Sequence, residues 1–197
     1  MMPQPASICR RFIVSTRAVA AIEFAMIMPV LLLLFLGSFD AGNATAIYVK
    51  VRSATYTLAA ITNQYSTGTN AIQSTDMTAI TGATGAVLAP YSSTPTVVII
   101  SQIKATSNTQ AVVSWSYSPT SGRALTQGAS FTGLPANFAR NSCNNTYPCY
   151  FIYAQVQYTY TPTFGYFITG PIVLSDSLYA TPRSSVCVQY NSVPSAC

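Results

Sequence analysis

The sequence predicts an α+β protein, with a long N-terminal transmembrane helix that extends into an exported domain built on an antiparallel β-sheet. Three observations predict it. Ala18 to Phe39 is a 22-residue run in which Glu23 is the only charge. Beyond it, Ile47, Val51, Ala54 and Leu58 fall at helical spacing, so the helix continues past the apolar run. From about residue 93 the pattern changes to the two-residue alternation of half-buried strands.

Taken in order, residues 1–17 form a basic tail with Arg10, Arg11 and Arg17. Residues 18–39 form the span, and as a helix they reach roughly 33 Å, enough for a bilayer core of about 30 Å. The three arginines precede the span closely and hold the N-terminus in the cytoplasm by the positive-inside rule. Lys50 and Arg52 follow it and reduce the asymmetry without reversing it. A cleavable secretory signal is the competing reading, with a small-residue site near Ala41–Ala44. The length of the run, together with Pro29 and Glu23 inside it, favours a retained anchor. Residues 40–65 are read as the helix's extension outside the membrane, and residues 66–197 as the exported domain.

Within that domain, Thr96–Ile103 is rich in β-branched residues. Gln110–Ser118 sets Val113, Trp115 and Tyr117 on one face against Ser114 and Ser116 on the other. Tyr150–Thr161 sets Ile152, Ala154, Val156, Tyr158 and Tyr160 opposite Gln155, Gln157 and Thr159, and Pro171–Ala180 is a fourth strand. These read as antiparallel strands with one face buried. The stretch from Ser118 to Ser142 is rich in Gly, Ser and Pro and reads as a loop region. The chain has 13 tyrosines and nine phenylalanines. On an alternating pattern such aromatics are expected as cross-strand pairs facing a core rather than as a ligand platform.

Composition narrows the function. Charged residues are 7% of the chain, far below the ~25% of an ordinary soluble domain, which suits an exported protein. The net charge is +5, and the basic residues beyond the span are scattered, so no nucleic-acid partner is expected. There is no histidine, which removes Ser-His-Asp and Cys-His nucleophilic chemistry. No phosphate-binding glycine loop is present and no cofactor is expected. Asp76 and Asp176 are the only exported carboxylates far from the span, and nothing in their spacing supports a glycosidase pair. No enzymatic activity is expected. Of five cysteines, Cys9 precedes the span and is expected to stay reduced. Cys143, Cys149, Cys187 and Cys197 follow it, and their even number in an oxidising space favours two disulfides. Three pairings are possible. Cys143–Cys149 with Cys187–Cys197 is preferred because each closes a short loop. With no His and no C-x2-C pair, no metal site is expected.

The run from Arg17 to Ala60, with small residues Ala18–Ala21, Ile22-Glu23-Phe24-Ala25, Pro29, Leu31–Leu34, Gly37, Asp40 and Gly42, resembles the N-terminal module of the TadE/TadG-like pilus-assembly proteins. These belong to the tight-adherence, type IVb-like (Flp) pilus systems of bacteria. Looser similarity extends through the helix and strand at Ser74–Ile103 and the closing strands to Arg183. The resemblance implies a pilin-like fold and a minor pilin (pseudopilin) or assembly factor in the bacterial inner membrane, with the C-terminal domain periplasmic or at the cell surface. Its partners would be other pilus or pseudopilin subunits. The alternative is a membrane-tethered binding module that joins no pilus. The resemblance also implies processing by a prepilin peptidase that leaves the glutamate as the fifth mature residue. Counting back from Glu23 puts the cut between Ala18 and Val19, with Ala18 where the family usually has glycine. Glu23 and the adjacent Phe24 would then serve subunit association. The Glu23 carboxylate would pair with the new Val19 amine of a neighbouring helix and offset part of the penalty of both charges.

Overall fold

The computed structural model describes residues 16–165, 170–190, 193 and 197. The tail, with Cys9, Arg10 and Arg11, lies outside them. The described residues form three α-helices and four strands: α1 (Thr16–Thr62), α2 (Ser74–Leu88), β1 (Thr96–Ala105), β2 (Ala111–Tyr117), α3 (Ala136–Cys143), β3 (Cys149–Tyr160) and β4 (Ile172–Ala180). The chain divides into two compact units. One is Met1–Asn43 with Thr161–Gly170, and the other is Ala44–Tyr160 with Pro171–Cys197.

In the first unit α1 carries apolar side chains all round. Val19, Ile22, Phe24, Met26–Met28 and Val30–Phe35 are all exposed, and no described residue covers them. A helix apolar on every side needs an apolar surrounding. This one is long and apolar enough to cross a membrane. Pro29 lies inside it; it removes one backbone donor.

In the second unit the sheet is fully antiparallel, in the order β2-β1-β3-β4. One face carries Val98, Ile100, Ile152, Ala154, Val156, Tyr158 and Trp115. It packs with Ile47, Val51, Ala54 and Leu58 of α1 and Met77, Ile80 and Leu88 of α2. The α1 residues are those whose spacing predicts the continued helix. The start of α2 is held by Asp76, whose carboxylate accepts the Gln73 N–H at 2.9 Å, satisfying one of the free donors of a helix start. Its end is held from α1: the Lys50 ammonium donates to the Ala89 carbonyl at 2.6 Å and the Val87 carbonyl at 3.3 Å. A cation at a helix C-terminus meets the negative end of the dipole.

The structure corrects the sequence reading in two places. Val113, Trp115 and Tyr117 do not share a face. Gln102 pairs with Trp115 and Ile103 with Val113, so Ser114 is an extra residue in the ladder. This bulge shifts the alternation by one. Trp115 faces the helices, while Val113 joins Ile103 and Tyr153 on the opposite face. The second correction concerns Ser118–Ser142, read as loop. It contains the start of α3, and its residues cover that opposite face. Leu125, Phe131 and Leu134 pack on Ile103, Val113 and Tyr153, and Phe138 stacks on Phe151 at 5.1 Å between ring centres. The second face is therefore covered over Ile103, Val113, Tyr153 and Phe151, while Thr159, Val173, Ser175 and Ser177 on the same side stay exposed.

The segment after β4 runs back across the helix-facing side. The Val188 peptide is gripped at both ends: its N–H donates to Gln102 Oε1 at 2.6 Å, and its carbonyl accepts Trp115 Nε1 at 2.8 Å. Neighbouring backbone bonds tie Arg183 N to Asn63 O, Gln189 N to Ser66 O and Ile72 N to Gln189 O.

Candidate functional site

α1 is the only described helix that meets the length and composition of a membrane span, so the candidate site is built on it. Glu23 is exposed on its surface among apolar neighbours, and no described residue bonds to it. An ionisable group at that depth marks a site of interaction by default. Phe24, beside it, is 63% exposed. Ala18 and Val19 lie near the start of α1, and the peptide bond between them is within its first turn.

The second carboxylate of α1 is placed differently. Asp40 is 2% exposed. It accepts three successive backbone N–H groups: Thr163 at 3.1 Å to Oδ1, Phe164 at 3.4 Å to Oδ1 and 3.3 Å to Oδ2, and Gly165 at 3.3 Å to Oδ2. Consecutive amides converging on one carboxylate form an anion-binding nest. Gly165 has φ of 65°, in the left-handed region where glycine is favoured. Next to this clamp the Phe39 and Phe164 rings meet edge to face at 5.6 Å. The sequence names Asp40 only as part of a motif. Its partners lie more than a hundred residues away in the β3–β4 connection, and no local pattern points to them.

The four distal cysteines are joined as Cys143–Cys149 and Cys187–Cys197, with Cα separations of 5.9 and 6.1 Å, within the usual reach of a disulfide. The first links the end of α3 to the start of β3. Asn144, at φ 47°, closes that helix in the left-handed conformation. The second ties the segment carrying Val188 to the C-terminus. The aromatic side chains form a contiguous cluster on the sheet: Tyr153 and Tyr179 pair across strands at 5.1 Å, and Phe131 and Phe138 pack over them. Burial pushes the Tyr179 phenol up to about 12, with Tyr153 adding to the effect. Its hydroxyl donates to the Gly133 carbonyl at 2.8 Å. These rings are packing groups.

Asp76 is engaged as a helix cap, and Asp176 lies on edge strand β4 opposite Val156. Two surface depressions, one lined by Ile61, Gln64, Tyr65 and Asn70 and the other by Thr81, Gly82, Thr84, Gly85, Ser93, Thr96, Val98 and Pro119, have no charged side chain among the described residues of their walls. Among the described residues no group of three His, Cys, Asp or Glu side chains is placed to hold a metal.

No curated protein and no solved structure matches the chain. The model of the TadE-like protein family matches residues 18–60, which lie wholly within α1 and hold both Glu23 and Asp40. The four-stranded sheet lies outside the match. Along its long helix, then, the chain is similar to the TadE-like proteins.

Proposed function

We propose that the protein is a membrane-anchored minor pilin (pseudopilin) or assembly factor of a tight-adherence, type IVb-like pilus. One observation carries the reading: the TadE-like match coincides with a helix whose apolar surface no described residue covers. Such a helix meets lipid and other helices. The N-terminus lies in the cytoplasm and the sheet domain outside the inner membrane, as the arginines before Ala18 direct. The role is structural and not enzymatic.

In this reading Glu23 and Phe24 form the association surface. The Glu23 carboxylate meets a cation of a neighbouring subunit. Where a prepilin peptidase has cut between Ala18 and Val19, the new Val19 amine is that cation. Otherwise a basic side chain serves. A paired charge in an apolar setting fixes register between helices.

The test is the Glu23→Gln variant expressed at the level of the parent chain. Insertion should be unchanged or improved, because a lone charge costs about 2.5–3.5 kcal/mol at the centre of a span and less towards its ends. Crosslinked complexes recovered from membranes should fall. Equal recovery with unchanged pilus assembly would reduce Glu23 to a tolerated charge. Mass spectrometry of the mature N-terminus reports whether Val19 is the first residue.

A further inference from the structure

The Asp40 clamp sits where the apolar surface of α1 ends. Phe39 closes the 22-residue run that began at Ala18, so a bilayer around that run places Phe39 at the lipid boundary on the far side from the N-terminus. Asp40, the next residue, is a carboxylate at that boundary, where hydration is incomplete. It is nonetheless buried, and its partners are the amides of Thr163, Phe164 and Gly165. The arrangement is reciprocal. Three backbone donors pressed towards lipid need an acceptor, and a carboxylate there needs donors. The result fixes Phe164 against Phe39, and both rings remain about half exposed, at 42% and 47%. These exposed rings continue the apolar surface of the span. Amphipathic and aromatic groups favour that depth of a bilayer.

We infer that Asp40 latches the β3–β4 connection onto the end of the membrane helix, so that Phe164 is a second, interfacial contact with the lipid surface. The occupant of the exposed Phe39–Phe164 face is the acyl-chain boundary of the bilayer. The inference rests on the membrane-anchor reading. It adds that a residue more than a hundred positions from the span in sequence shares its lipid contact.

The experiment uses the full chain reconstituted into phosphatidylcholine vesicles, with and without lipid brominated near the headgroup end of its acyl chains. Phe164→Trp adds an emitter at the proposed contact. Tyr56→Trp adds one at an exposed position of α1 well beyond the span. The native Trp115 is fully buried in the sheet domain, and the parent chain supplies its background. Flotation of the vesicles reports anchoring separately. The expected result is that the emission added at position 164 is blue-shifted and loses most of its intensity in brominated vesicles, while that added at position 56 does not. Combining Asp40→Asn with Phe164→Trp should restore most of the lost intensity without preventing flotation. Co-flotation with an unquenched Trp at position 164 would overturn the inference and leave the anchor reading standing. Equal quenching with and without Asp40→Asn would overturn the latch. A chain that does not float would remove the anchor reading and this inference with it.

Discussion

At the residue scale, several polar side chains of the sheet-bearing unit hold backbone. Gln102 is fully buried on the side of β1 that carries Val98 and Ile100, and its amide oxygen accepts the Val188 N–H while Trp115 donates to the Val188 carbonyl. Removing one partner strands a buried polar group, which costs about 1–3 kcal/mol. Trp115→Phe should therefore lower stability by about that much, beyond the loss of ring area, as read from the urea midpoint by far-UV circular dichroism. A midpoint equal to that of the parent would show that water replaces the indole donor. Tyr179 gives a pH prediction. Its phenol is held up to about 12 in the folded chain against 10.0 when exposed. The folded state then binds the proton more tightly between those values, so the stabilising contribution is present below pH 10 and is lost as pH rises towards 12. Titration of tyrosinate absorbance should show a late-ionising phenol that disappears in Tyr179→Phe.

At the element scale, β2 is where a regular pattern misleads. Ser114 is the additional residue, and its hydroxyl is buried with no partner. Deleting it makes Val113 and Trp115 consecutive, and each keeps its present face because the ladder becomes regular. The deletion variant should fold, with Trp115 emission as blue as in the parent. A red shift would show that the bulge's extra twist, rather than its register alone, seats the indole. The disulfides act at the same scale, since Cys143–Cys149 closes the α3–β3 turn and Cys187–Cys197 the segment after β4. Chain-entropy arguments give about 2 kcal/mol for closing a loop as short as that between Cys143 and Cys149. Replacing both by serine should lower the unfolding midpoint accordingly, and a reductant should then have less effect than on the parent chain.

At the scale of the whole molecule, the prediction is topology. A reporter active only in the periplasm, fused after Cys197, should be active, and the same reporter fused before Thr16 should not. Lys50 and Arg52, the first two basic residues after the apolar run, have contacts of their own in the sheet-bearing unit. Lys50 holds the end of α2, and Arg52 lies over the Tyr56 ring at 5.8 Å. Charge reversal at Lys50 should thus loosen α2 without inverting the chain in the membrane. Inversion by Lys50→Glu alone would show that the tail arginines do not set orientation.

The sequence by itself determined the long helix, the order of the four strands, and the face of α1 that enters the core. Each follows from a short-range signal: an uninterrupted apolar run, the spacing of Ile47, Val51, Ala54 and Leu58, and alternation in β3. The match to residues 18–60 rests on the same local order of residues. Contacts between distant segments were decided only by the tertiary structure. Ser114 shifts the face of β2 because β1 offers it no partner. The Ser118–Ser142 stretch has no period of its own, yet with Leu125, Phe131 and Leu134 it covers Ile103, Val113 and Tyr153 on the second face of the sheet. Asp40 reads as one letter of a motif until the chain returns with Thr163, Phe164 and Gly165. The physical reason is common to all three. Periodicity records which side of an element is apolar, whereas register, coverage and the pairing of a buried charge depend on what the rest of the chain brings to that side.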